Sequence, residues 1–457
     1  MTVEPRRGAG NFLLGLCLAI LLPLGFPAAA EPDPSPAPAA AVSAVREAAR
    51  PIAGPPTDYS DILAAAAGAR RVLLGESTHG THEYYRERGR ITERLIREQG
   101  VNAVAIEGDW SATHRVNLYV RGLGSDRSAE QALGGYTNFP VWMWANADFR
   151  DFVERLRALN LERPPGQRVG IYGMDVYDLF EAAEAVQAYL KASAPEAAGR
   201  AARHYRCFSG YGRDRWAYGT ATRNKRKICR TQAEAVLAEV RRLPRPADPE
   251  EAEAWFGAVR AAASVAGAED YFRTAATGSL AWNVRDRRMA DNAEEIADHA
   301  QALSGRPGKL AMWAHNSHVG DARATSAANR GELNLGQLMR QRHGKAAFLI
   351  GFFSHSGTVF AAPEWDAYGR RYDMRRALRG SHSALFHAAG LPAFSLLIRA
   401  TPAVPRLLSP PMNQRAIGVV YLPGSERTAH YFTARLADQF DAIVYFDRTG
   451  AVAPLRR

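Results

Sequence analysis

The 457-residue chain is predicted to adopt an α/β fold: a mostly parallel central sheet flanked by helices, with a helical insertion between the third and fourth core strands. Three observations predict it. Short runs rich in Val, Ile and Leu recur along the chain, and their apolarity is continuous rather than alternating, as in strands covered on both faces. Segments of helical periodicity separate these runs. From about residue 179 to 304 the strand signals vanish and Ala-, Glu- and Arg-rich helical segments replace them.

Residues 1–30 read as an export signal. Arg6 and Arg7 supply positive charge, Phe12 to Phe26 form an apolar core interrupted by Pro23, and Ala28-Ala29-Ala30 offers a cleavage site before Glu31. That apolar stretch is too short for a transmembrane helix, which needs ~20 residues, and no later segment looks membrane-spanning. "EPDPSPAPAAA" opens a Pro/Ala-rich tether over 31–50, expected to be extended. A catalytic domain over 51–457 follows. Its core runs are "RVLLG" (71–75), "NAVAIEG" (102–108), "RVGIYGM" (168–174), "KLAMWAH" (309–315) and "AAFLIGFF" (346–353), with a late pair, "AIGVVYLP" (416–423) and "AIVYF" (442–446). Helices are expected over Tyr84 to Gln99, Asp148 to Leu159 and Leu335 to Arg342. The insertion, with segments such as "CRTQAEAVLAEVRRL" (229–243), should form a lid or wall over the sheet's edge.

Composition is that of an ordinary globular protein, 47% hydrophobic and 23% charged. The formal net charge is +11, but the basic residues are scattered among acids, so the charge gives no nucleic-acid footprint. Of three cysteines, Cys17 leaves with the signal. In an oxidising periplasmic or extracellular setting, Cys207 and Cys229 are expected to form a disulfide.

In an open parallel sheet, ligands bind outside the carboxyl ends of the strands, where the loops converge. The ends of the core runs here are rich in chemistry. The first gives Glu76, Ser77, Thr78, His79 and His82; the second, Glu107 and Asp109; the third, Asp175 and Asp178; the fourth, His315, Asn316, His318 and Asp321; the fifth, Ser354 and His355. Each alone has a bland explanation as a cap, a surface group or a core histidine. Their coincidence at several strand ends predicts one site assembled from loops.

The serine-hydrolase motif G-x-S-x-G is not met by "GESTH", and "HEYYR" fails H-E-x-x-H at Arg86. Histidine plus carboxylate without an obvious nucleophile suits general-base activation of water. Arg86, Arg88 and Arg90 follow on the adjoining helix, and one facing the site would stabilise an oxyanion or hold a substrate carboxylate. The competing chemistry is a divalent metal held by His79-x-x-His82, His315-x-x-His318, Glu76, Glu107 and Asp109. A third reading is a periplasmic binding protein without turnover.

Five stretches resemble the erythromycin esterase family: "LLGESTHGTHEYYRERGRITERLI" (73–96), "VAIEGDW" (104–110), "YGMDVYDL" (172–179), "MWAHNSHVGDARAT" (312–325) and "RAIGVVYLPGSERTAHYFTARLADQFDAIVYFD" (415–447). The resemblance implies an α/β sheet with a helical portion and hydrolysis of an ester or lactone in a small molecule such as a macrolide. It implies His79 as the base acting on water, with Glu76 beside it. Arg88, Glu107, His315 and His318 match further site positions. Asp109, Asp175, His82 and His355 complete the candidate set as substrate-binding groups. No cofactor is called, and the family leaves metal dependence open.

Overall fold

The structure, a computed structural model, describes residues 38–52, 58–223, 228–278 and 280–455. The export signal and the first residues of the tether lie outside the described residues. Eleven strands are described: β1 (Arg50–Pro51), β2 (Arg71–Leu74), β3 (Ala103–Ile106), β4 (Gly170–Gly173), β5 (Leu310–Trp313), β6 (Ala347–Ala361), β7 (Arg370–Met374), β8 (Ala393–Leu397), β9 (Met412–Arg415), β10 (Tyr431–Ala434) and β11 (Ala442–Thr449). The main sheet runs β1-β8-β11-β6-β2-β5-β3-β4, with β7 paired to β6, while β9 and β10 form a separate two-stranded sheet. The six strands from β11 to β4 are mutually parallel; β8 and β7 pair antiparallel.

Every residue of β2 to β5 is buried, which is what their unbroken apolar runs require. One covering layer is the pair of helices His82–Glu98 and Ala147–Leu161. Their Ile91, Leu95, Phe149, Phe152 and Leu156 join Val72, Leu74, Val104, Ile106 and Trp313 of the sheet in one core. Ala281–Ser304 and Leu335–His343 pack on each other and on the strands. The insertion is helical as expected, from Phe180–Ser193 to Ala281–Ser304, and is centred on the 28-residue helix Pro249–Ala276. Among the described residues no helix is long and apolar enough to cross a membrane.

Three expectations need correction. The tether was placed through residue 50, but Ala39–Ala48 is a helix and Arg50–Pro51 adds an edge strand beside β8. Alanine's high helix propensity, with Ala41, Ala44 and Val45 buried, outweighs the extended bias of the prolines before it. "AIGVVYLP" (416–423) is not a core strand; it makes only isolated bridges, Ile417 to Thr78 and Val420 to Ala362. Finally, β7, β8, β9 and β10 carry no continuous apolar run. They lie at or next to the edge of the main sheet or outside it, and β7 reads Arg-Arg-Tyr-Asp-Met with its first two arginines exposed.

Candidate active site

The loop after β2 builds the first half of the site. Gly75 has to lack a side chain, because a Cβ there would sit 2.0 Å from Asn316 Oδ1. That close approach lets Asn316 Nδ2 donate to Phe352 O at 2.8 Å while its backbone N–H donates to Glu76 O at 2.7 Å. The β2, β5 and β6 ends are thereby tied together. Gly80 is similarly constrained by the Phe360 carbonyl, 1.9 Å from where its Cβ would stand.

Within this loop Glu76 is fully buried. Its Oε1 accepts from His79 Nδ1 at 2.9 Å and its Oε2 accepts from Arg88 Nη2 at 2.7 Å. A carboxylate only accepts, so the bond places the His79 proton on Nδ1 and the lone pair on Nε2. Arg88, nearly two turns into the helix His82–Glu98, is itself fully buried, its guanidinium 4.5 Å from the Tyr85 ring and 4.9 Å from the Trp313 ring. A desolvated Arg–Glu pair held this way is a rigid anchor for the imidazole.

The second half comes from the ends of β3, β4 and β5. Glu107 Oε2 accepts from the His315 backbone N–H at 2.8 Å, and its Oε1 accepts from Arg285 Nη2 at 2.7 Å and lies 3.3 Å from His318 Nε2. Burial pushes the Glu107 carboxyl up, but the neighbouring His318 and Arg285 charges outweigh it and hold it well below the usual range. Arg285 is gripped by Asp175 through two bonds, 2.8 Å from Nε and 2.6 Å from Nη2. His318 Nδ1 lies 2.9 Å from Asp286 Oδ1. Burial lowers the His318 pKa, yet Asp286 and Glu107 prevail and raise it to about 9. Arg285 Nη1 also approaches His318 Nε2 at 3.0 Å, a contact that suits a neutral ring. Two buried carboxylates, Asp286 and Glu107, against one guanidinium favour the imidazolium, and that charge balance decides.

His315 is of the opposite character. Burial first, with the His318 charge nearby, pushes its pKa down to about 3, so it is neutral. The Ser317 backbone N–H donates to its Nδ1 at 3.2 Å, which leaves the proton on Nε2. That Nε2 is buried without a hydrogen-bond partner. The His79 and His315 rings lie 5.0 Å apart, tilted by 50°. His79, with its lone pair on Nε2, therefore stands beside the His315 ring, whose Nε2–H makes no full hydrogen bond although the Ser77 backbone lies near the ring.

The structure thus brings together Glu76, His79, Arg88, Glu107, Asp175, His315 and His318. Two candidates stand apart. His82 Nδ1 lies 2.6 Å from Asp148 Oδ1 and its Nε2 contacts Arg86, so its ring is taken up at the helix surface; the Asp148 bond raises its pKa. His355 stacks on His387 at 3.8 Å, beside Asp447, with burial first and His387 second lowering its pKa to about 4. Asp109 accepts from Asn138 Nδ2 at 3.3 Å, and burial, then the Asp178 charge, raise its pKa to about 7. It flanks the cluster without bonding to it.

Arg285 and Asp286 were not anticipated. An Arg-Asp pair within the charge-rich "NVRDRRMADN" looks like any solvated helix face, and no motif separates it. The Cys207–Cys229 disulfide forms as expected, with a Cα–Cα distance of 5.8 Å, inside the insertion. Among the described residues no group of three or more His, Cys, Asp or Glu side chains is arranged to hold an ion. Glu76, Glu107 and His318 are already committed to Arg88, Arg285 and Asp286.

The chain is similar to "Putative hydrolase YbfO" of Bacillus subtilis (strain 168), 22% identical over 404 residues that cover 83% of this chain and 84% of that protein. Among solved structures, a Bacillus cereus protein superposes with a TM-score of 0.74 at 18% identity, covering 91% of this chain and 98% of that one. A protein described as a succinoglycan biosynthesis protein gives 0.72 at 18% identity, covering 90% and 97%. A histidine-to-asparagine mutant of the erythromycin esterase EreC, in its open conformation, gives 0.59 at 15% identity, covering 86% and 95%. At these identities the likenesses establish a shared fold, the α/β sheet with its helical portion. The family model for erythromycin esterase matches residues 96–449, which takes in every core strand after β2 and the candidate site residues from Glu107 onward. The chain belongs to the erythromycin esterase family.

Proposed function

We propose that the chain is an exported hydrolase of carboxylic esters or lactones that activates water with a histidine base and needs no metal. Family membership and the hydrolase relative support hydrolysis as the reaction class. The observation that carries the finer reading is the His79 geometry. Its Nδ1–H is pinned by Glu76, so Nε2 presents a lone pair beside the unpartnered Nε2–H of His315.

In the proposed reaction His79 Nε2 takes a proton from water as the water oxygen attacks the carbonyl carbon. Glu76, backed by Arg88, stabilises the imidazolium that forms. The carbonyl oxygen becomes an oxyanion and receives the hydrogen bond from His315 Nε2–H. Because His315 is neutral, it donates without surrendering its proton. The tetrahedral intermediate then collapses. Its C–O bond to the leaving group breaks, and the alkoxide takes the proton from His79 Nε2, giving acid and alcohol. Glu107 holds the His315 backbone, and Arg285 and His318 balance its charge. Asp109, on the flank, meets the substrate.

The reading is tested with purified protein and a panel of esters and lactones, in the presence and absence of a chelator. Turnover that persists in chelator is the expected result. Turnover lost on chelation and restored by added metal would establish the metallohydrolase instead, and a bound ligand without turnover the binding protein. Export to the periplasm or medium follows from residues 1–30. Expression with the intact N-terminus should give a mature protein beginning at Glu31; an unprocessed chain refutes that part.

A further inference from the structure

Within the proposed hydrolase, the catalytic centre is not completed by the sheet. The strand-end loops supply Glu107, Asp175 and His318, but these meet around two consecutive residues of the helix that closes the insertion, Arg285 and Asp286. Both are buried, Asp286 completely. Arg285 makes a fork: Nε and Nη2 both reach Asp175, and Nη2 also reaches Glu107 Oε1. Asp286 reaches past it to His318 Nδ1 and, through Oδ1, accepts from the Leu335 backbone N–H at 2.7 Å. Trp282, one turn earlier on the same helix, lies flat against the His318 ring at 4.2 Å and 10°. Three residues of one helical end therefore fix His318 in plane, in direction and in charge.

We propose that Arg285 and Asp286 are positioning residues for ester hydrolysis, through which the helical insertion completes the active centre. Asp286 holds His318, His318 and Arg285 hold Glu107, and Glu107 holds the His315 backbone N–H so that its Nε2–H points at the developing oxyanion. The groups facing His318 from every packed element agree in sign: Asp286 and Glu107 outnumber Arg285, and neutral His315 adds no charge. An oxyanion donor displaced by an ångström loses much of its value, and misplacements of that size cost about 10²-fold in rate.

The proposal rests on the ester-hydrolase reading for its rate measurements but not for its structural one. In the full chain labelled with ¹⁵N-histidine, His318 should stay doubly protonated past neutral pH, and in Asp286→Asn it should titrate at lower pH. The same variant, folded by circular dichroism, should lose about 10²-fold in kcat with little change in KM. Its activity should also fall off at lower alkaline pH than in the native protein. Arg285→Lys, which keeps the charge but not the fork, should recover part of the activity that Arg285→Met loses. A His318 ring that is neutral at pH 7 in the native protein overturns the proposal whether or not any ester is cleaved. Native kcat and pH profile in folded Asp286→Asn overturn it while leaving the hydrolase reading in place. Should no ester be turned over, the hydrolase reading fails and the His318 titration alone decides the positioning contact.

Discussion

Replacing Glu76 by glutamine tests the site's chemistry with almost no change of shape. Arg88 Nη2 requires an acceptor at 2.7 Å, so the amide oxygen of the substituted side chain turns toward it. The amide nitrogen is left facing His79 Nδ1, where the carboxylate oxygen stood at 2.9 Å. Nδ1 must now accept, which moves the ring proton to Nε2 and occupies the lone pair that deprotonates water. An inverted tautomer of this kind costs on the order of 10⁴ in kcat in the Ser-His-Asp template, equivalent to about 5.4 kcal/mol of barrier. Stability should fall as well, by about 3–5 kcal/mol, because the buried Arg88 guanidinium keeps a hydrogen bond but loses its counter-charge. Initial rates on a responsive ester, with urea unfolding run in parallel, separate the two effects. Native kcat in a folded Glu76→Gln protein would refute the assignment of His79 as base.

Two further outcomes follow from the same geometry. His318 is raised from its ordinary 6.5 to about 9, so the stability it contributes is fully present below about pH 6.5 and is lost as pH rises through about 9. Urea unfolding should show a decline on the order of 3 kcal/mol across that window, and His318→Gln should abolish that slope; an unchanged slope contradicts the charged-histidine reading. The Cys207–Cys229 bridge closes a sequence separation of 22 residues, and opening it with paired serine substitutions should cost about 3 kcal/mol. Thermal unfolding measures that loss, and turnover at low temperature should survive it, since the bridge lies in the insertion away from the histidines.

The parts of this fold legible in the sequence are those with one dominant physical cause. Strands β2 to β5, and the first parts of β6 (347–353) and β11 (442–446), are buried on both faces and so carry the apolar runs. The stretch 416–423 has the same apolarity without the sheet position, because its Ile417 and Tyr421 pack with Val359, Ala361 and Met374 in a small separate cluster. Strand β8 escaped notice because "AFSLL" is short and lies near the sheet's edge, where pairing with β11 and β1 rather than sequence pattern makes it a strand. For the site, position after a strand was informative: Glu76, His79, Glu107, Asp175, His315 and His318 all converge. The same rule overreached at His82 and His355. His82 turns outward to Asp148, and His355 lies further along the extended β6, where its ring meets His387. Arg285 and Asp286 were invisible because they come from a helix, and only packing distinguishes a helix face turned to the site from one turned to water.

The central claim is that His79 removes the proton from water. Its most direct test is the turnover of a good ester by folded His79→Ala, measured in chelator beside the native protein. The account predicts a loss of about 10²–10⁴ in kcat with the fold intact, the span expected when a general base alone is removed. Hydrolysis at the native rate by that variant would contradict it.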